Sequence, residues 1–142
     1  DERREVVIET ARRLTPLGAD VLKAEFPLDV AMEPDECQWE AACQKLSEAS
    51  AIPWVLLSAS VQFETYINQA TIAFRNGASG VAVGRALWKE AVFLGGEDSR
   101  DFLQTTATQR MEHTKALCDA LARPWSDFYA PPEIASKWYK EY

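Results

Sequence analysis

A chain of 142 residues, 47% hydrophobic and 26% charged, has the composition of one ordinary globular core and shows no low-complexity segment. Its formal charge of -7 repels a phosphate backbone unless a basic patch is segregated, and only the short pairs Arg3-Arg4 and Arg12-Arg13 offer one, which argues against nucleic acid as a partner. No run approaches the ~20 apolar residues of a membrane helix, and the first twenty residues carry Arg, Glu and Asp where an export signal has an apolar core. The three cysteines, Cys37, Cys43 and Cys118, lack paired CxxC spacing, so neither a disulfide framework nor a zinc site is suggested, and a reducing, cytoplasmic setting with no metal or cofactor is expected.

The chain opens on a predicted helix over Glu2–Leu14, with Val7, Ala11 and Leu14 at helical spacing and Thr15-Pro16-Leu17-Gly18 as its stop. An α/β domain usually opens on a strand, so a further segment is expected before this one. Residues 20–26 then read as a buried strand. Alternation puts Leu22, Ala24 and Phe26 on one face and Val21, Lys23 and Glu25 on the other. If that second face is interior, burial disfavours the charged form of Lys23 and leaves a neutral amine able to attack a carbonyl carbon. The plain alternative is a Lys-Glu pair on the wet face of an edge strand.

Pro27–Glu36, with two prolines and several acids, reads as a loop, long for a strand-to-helix connection. A helix follows over Cys37–Ala49, with Trp39, Ala42, Cys43 and Leu46 on one stripe and Glu40, Lys45 and Glu48 on a solvated face. Pro53 then leads into the apolar run Trp54–Ala59, a second buried strand. From Val61 or Gln62 to Asn76, the stripe Phe63, Ile67, Ala70 and Phe74 predicts a helix that Gly77 ends. Ser79–Arg85 gives a third strand, with Gly84 and Arg85 at its exit. The rhythm is βαβαβ, which requires parallel strands with helices outside. A short helix over Ala86–Leu94, a break at Gly95-Gly96 and a longer helix over Asp101–Ala122 complete the ordered part. The tail from Pro124 holds Trp125, Phe128, Tyr129, Trp138 and Tyr139 and is expected to drape over a surface.

Three strand exits therefore line up: Lys23 and Glu25 on the first, Ser58 on the second, Gly84 and Arg85 on the third. Ligands bind at the carboxyl ends of parallel strands, so these groups are expected to converge on one mouth. Gly80–Arg85 followed by a helix suits an anion, with backbone N–H groups and a guanidinium as donors, although the same residues also suit a plain strand-to-helix turn with a solvent-facing arginine. Ser58 is either a phosphate ligand or a cap for its own loop. His113, in the long helix, reads as a surface or packing residue, and the cysteines read as inert thiols. Trp39 and Trp54 read as packing residues, with Trp88 close to the proposed phosphate turn.

Taken together, Ala19–Pro27, Pro53–Ala59 and Gly77–Trp88 resemble, in order and at family spacing, the class I tagatose-1,6-bisphosphate aldolase family and the related sulfofructose-phosphate aldolases. The resemblance implies the C-terminal part, about three βα units and approximately strands six to eight, of a TIM (β/α)8 barrel over residues 1–123, with 124–142 as an aromatic-rich tail. It implies that Lys23 is the Schiff-base lysine and that Ser58, Ala59, Gly84 and Arg85 hold the phosphate of a dihydroxyacetone phosphate moiety, with Glu25 tuning Lys23 or holding a substrate hydroxyl. The expected reaction is aldol cleavage of a phosphorylated ketose such as tagatose 1,6-bisphosphate into dihydroxyacetone phosphate and glyceraldehyde 3-phosphate. A sulfofructose phosphate is the alternative substrate. Two departures stand out. Ser60 replaces the family's usual glycine and removes backbone freedom where an amide meets the anion, and the family's catalytic glutamate and a second active-site lysine lie on earlier strands. A complete barrel takes about 250 residues, so a second copy or the remainder of the barrel is the expected partner. Rival readings are a phosphosugar-binding module without chemistry and an interaction module built on the aromatic tail.

Overall fold

The structure, a computed structural model, describes residues 2–130 and Lys140. Helix α1 (Glu2–Leu14) buries Ile8 and Ala11 and packs on α2 (Glu36–Ala49), which buries Trp39, Ala42, Cys43 and Leu46. Thr15 joins them: its buried hydroxyl donates to the Ala11 carbonyl at 2.8 Å and accepts from the Ala51 amide at 3.2 Å. Asp35 starts α2 by accepting from the Cys37 amide, satisfying one of the donors that a helix N-terminus leaves open.

Strands β1 (Leu22–Ala24), β2 (Trp54–Leu57) and β3 (Gly80–Ala82) form a parallel sheet in the order β1-β2-β3. The expected mixed α/β class with βαβαβ order is therefore present. Lys23 pairs with Val55, and Val55 with Gly80. The expected strand over 20–26 is cut to three residues: Pro27 has no N–H to give a ladder, and Phe26 turns away to pack edge-on against Trp39, ring centroids 5.5 Å apart. The third strand is likewise shorter than 79–85. Helix α3 (Phe63–Arg75) joins β2 to β3, and its buried Tyr66 donates to the Leu56 carbonyl at 3.2 Å.

The two faces of the sheet differ. Ala24, Trp54 and Leu56 are buried with Leu46 and Tyr66 under the helices, each large side chain contributing about 1.5–3 kcal/mol of burial. The other face carries Lys23, Val55, Leu57 and Ala82, exposed or half-buried, with no layer of described residues over it. A parallel sheet ordinarily has both faces covered.

After β3 the chain makes a one-turn helix α4 (Arg85–Trp88) and a 3-10 segment Lys89–Phe93 in place of the single helix expected to Leu94. The long helix begins earlier than expected. It runs as α5 (Gly96–Phe102), a π-turn at Leu103–Ala107 and α6 (Thr108–Leu121). The acids Glu97 and Asp98 suit a first turn there, and the Thr108 hydroxyl donates to the Leu103 carbonyl inside the π-turn. α6 packs on α3, and His113 lies exposed with its ring edge-on to Phe63, the expected surface position.

The start of the tail runs below the sheet: the Arg123 amide bonds the Ala78 carbonyl at 3.0 Å, and the Tyr129 hydroxyl donates to the Asp20 carbonyl at 2.7 Å. Both acceptors precede strands, so this segment lies at the amino ends. Trp138 and Tyr139 lie outside the described residues.

Candidate functional site

At the opposite end of the sheet, strand alternation and parallel register do the positioning. Lys23 and Glu25 leave β1 on the uncovered face, Leu57 leads into Ser58 and Ala59 at the end of β2, and Ala82 leads into Gly84 and Arg85 beyond β3. All six predicted site residues, Lys23, Glu25, Ser58, Ala59, Gly84 and Arg85, line one cleft of about 490 Å³ that Leu57, Ala82 and Trp88 complete. The expected convergence of three strand exits is thus found in space.

The surroundings of each group differ from expectation in four ways. Lys23 is exposed, not buried, because the second layer that its face needs is not among the described residues. Glu25 does not pair with Lys23; Arg3 of α1 reaches around the β1 edge and donates to its carboxylate at 2.7 Å. The helix after Gly84 is a single turn, so it carries little macrodipole, and any anion there depends on amides and on Arg85 itself. At the β2 exit Ala59 and Ser60 both adopt left-handed backbone, φ 45° and 63°, and the Val61 amide closes the turn on the Ser58 carbonyl at 3.1 Å. Two successive positive φ values are the signature of a type I′ turn, which favours Gly, Asn and Asp. Ser60 therefore adopts the conformation in which a glycine would be at ease.

Ser58 is 6% exposed, held at the cleft floor, while Ala59 is open to it. Arg85 is exposed at the rim and makes no ion pair among the described residues. Trp88 keeps over a third of its surface exposed and lies beside Gly84, where an added Cβ would come within 3.9 Å of its indole nitrogen. It is a wall of the cleft, as its closeness to the turn suggested.

Two residues behind the cleft were not singled out from the sequence. Lys89, just past Trp88, donates from Nζ to the Ser60 carbonyl at 2.9 Å, tying the β2 exit to the segment after β3. Arg110 of α6 braces the same segment: it donates to the Leu87 carbonyl at 3.1 Å and to both Glu90 oxygens at 3.0 Å, and stacks over the rings of Phe63 and Phe102. Partial burial works against the ionised Glu90 carboxyl, but its own backbone amide and Arg110 outweigh burial and hold it below its ordinary value. The only sequence signal for either contact is a basic residue at helical spacing, which is too common to single one out.

The cysteines stand outside this chemistry. Burial pushes the Cys43 thiol up to about 12, the Asp35 carboxylate raises Cys37, and burial raises Cys118, so none is poised as a thiolate.

Residues 1–90 match the family model described as DeoC/LacD family aldolase. Among curated proteins the chain is 29% identical over 125 residues to tagatose 1,6-diphosphate aldolase 2 of Streptococcus mutans, and 32% identical over 123 residues to tagatose 1,6-diphosphate aldolase 2 of Streptococcus agalactiae. These alignments cover 78% and 76% of this chain. A tagatose 1,6-diphosphate aldolase of Lactococcus lactis is 28% identical over 123 residues. The chain spans 38% of the length of each of these relatives.

Proposed function

The chain belongs to the DeoC/LacD aldolase family, and from that premise we propose that it forms one wall of a Schiff-base aldolase that cleaves a phosphorylated ketose. The observation that carries this is the meeting of an amine, Lys23, with Ser58, Ala59, Gly84 and Arg85 in one cleft at the carboxyl ends of three parallel strands. In the full site, residues 1–123 supply the last three βα units of an eightfold barrel, approximately strands six to eight, and the start of the tail, residues 124–130, lies at its base. The remaining strands come from the rest of the polypeptide and cover the face that bears Lys23.

Lys23 Nζ attacks the C2 carbonyl of the ketose, and loss of water leaves a protonated imine. The C3–C4 bond breaks, its electron pair passes into the imine to give an enamine, and the C4 hydroxyl loses its proton as the aldehyde forms. Protonation at C3 and hydrolysis release dihydroxyacetone phosphate and restore the amine. The imine is the electron sink. Ser58, the Ala59 and Gly84 backbone and Arg85 grip the phosphate at C1, fixing the carbonyl over Lys23. Glu25 is the one carboxylate that lines the cleft among the described residues, and Arg3 holds it, so it orients a substrate hydroxyl or tunes Lys23 while the proton of the C4 hydroxyl goes to a group on another wall. Tagatose 1,6-bisphosphate, cleaved to dihydroxyacetone phosphate and glyceraldehyde 3-phosphate, is the favoured substrate because aldolases of that name are among the relatives that the chain matches. A sulfofructose phosphate would make the same contacts at this end.

The test is borohydride trapping. Full-length protein incubated with dihydroxyacetone phosphate and borohydride should carry one reduced adduct, mapped to Lys23 and not to Lys45, Lys89 or Lys115. Lys23→Met should abolish adduct and turnover while the protein stays folded, since Met fills similar volume without the amine. An adduct on another lysine would overturn the mechanism.

A further inference from the structure

We infer that Lys89 is a positioning residue that locks the left-handed Ala59-Ser60 turn and so shapes the phosphate side of the cleft. This rests on the reading of that cleft as a phosphosugar site. Two successive non-glycine residues with φ 45° and 63° hold only if their surroundings over-determine the turn. Inside the turn, the Val61 amide bonds the Ser58 carbonyl, as in any type I′ turn. Ser60 contributes nothing through its side chain: its hydroxyl is buried and has no partner among the described residues. What fixes the turn from outside is the charge-assisted bond from Lys89 Nζ to the Ser60 carbonyl at 2.9 Å.

Lys89 is itself held. Ala86 and Leu87, just before it, are buried, and Arg110 grips the Leu87 carbonyl and the Glu90 carboxylate on either side of it. The two loops of the cleft are thereby tied into one unit. Arg85 and Trp88 sit on the segment that Arg110 braces, and Ser58 and Ala59 sit on the turn that Lys89 fastens to that segment. A lysine at 89 offsets the lack of glycine at 60. A glycine there would accept positive φ without help.

The experiment is a four-member set in the full-length protein: parent, Lys89→Met, Ser60→Gly and the double variant. Each is read by inorganic phosphate affinity, ketose cleavage kinetics and the melting temperature. Lys89→Met should weaken phosphate binding and raise KM roughly five- to tenfold with kcat within about twofold, the pattern of a lost ground-state contact. In the Ser60→Gly background the same change should cost no more than about twofold, because the turn no longer needs its lock. An equal loss in both backgrounds would mean that Lys89 acts through its charge on the ligand, and no loss in either would mean that the bond positions nothing; each overturns the inference. A lowered melting temperature with phosphate affinity unchanged would overturn it too, leaving Lys89 a fastener of the fold alone. Parent protein that forms no lysine adduct with dihydroxyacetone phosphate is a failure of the proposed function and takes this inference with it. A parent that forms the adduct while the set shows no coupling is a failure of this inference alone.

Discussion

Arg85 has the clearest single role to test. It is exposed at the rim of the cleft, has no carboxylate partner among the described residues, and stands beside Gly84 where the chain leaves the sheet. Arg85→Ala should weaken binding of a phosphorylated ketose by roughly 1.5–3 kcal/mol, the worth of a hydrogen bond to a charged group, with the melting temperature nearly unchanged. Titration with substrate and with inorganic phosphate checks it, and unchanged affinity for both would remove Arg85 from the site. Glu90 tests the brace behind the cleft instead. Its carboxyl is held below the ordinary value of 4.5 in the folded protein, so the stabilisation it gives is complete above the unfolded value and is lost as pH falls through the folded one. Glu90→Gln should therefore lower the melting temperature at pH 7, and the gap to the parent should narrow as pH falls below the ordinary carboxyl value of 4.5. A gap that is the same at pH 7 and pH 3 would show that the Glu90 charge is not what holds Arg110.

At the scale of elements, β2 is the reference for the site, since Ser58 and Ala59 follow it directly, and β2 is anchored by a relay that crosses three elements. The Trp54 indole donates to Ser47 Oγ of α2 at 2.9 Å, and that hydroxyl donates to the Asn76 carbonyl at the end of α3. Gly77 makes room for the relay. Its φ is +102°, and an added Cβ would come within 2.6 Å of Ser47 Oγ. Gly77→Ala should destabilise by about 1–3 kcal/mol, from left-handed strain together with displacement of Ser47. Adding Ser47→Ala removes the hydroxyl that clashes but also both hydrogen bonds of the relay, and it leaves the left-handed strain, so the double variant should not regain the parent's stability in denaturant unfolding. A single variant as stable as the parent would mean that the relay is not fixed. The sequence revealed α2, α3 and the stop at Gly77, because stripes at helical spacing and a glycine after the last turn are local signals. It revealed where the strands lie for a similar reason: each is a short apolar run behind a helix. It did not reveal Ser47 as the hub, the left-handed turn at Ala59-Ser60, or the reach of Lys89 and Arg110, because each is decided by contacts between different elements, up to 29 positions apart, or by backbone geometry that Ala and Ser do not announce. The early start of α5 was open to view in Glu97 and Asp98, which Gly95-Gly96 overshadowed.

On the scale of the molecule, one sheet face is packed under α1, α2 and α3 while the other, bearing Lys23, Val55, Leu57 and Ala82, faces outward. That asymmetry explains why the expectation of a buried Lys23 was right about the face and wrong about its surroundings: alternation is local, but burial needs a second layer that three strands do not supply. Among the described residues β1 and β3 are also both edge strands of a parallel sheet, with backbone donors and acceptors left for a neighbouring strand. A barrel closes such edges only by adding strands. The 142-residue chain expressed alone should therefore associate through these edges and the outward face, and a polypeptide that completes the proposed barrel should not do so by the same route. Sedimentation velocity across a wide concentration range checks this. The segment should shift to larger species as concentration rises, with intrinsic fluorescence of its tryptophans moving as Trp88 changes surroundings. A segment that stays monomeric at every concentration and unfolds in one cooperative step would show that the sheet is complete as it stands, and the proposed wall of a larger barrel would have to be given up even if Lys23 still formed an imine.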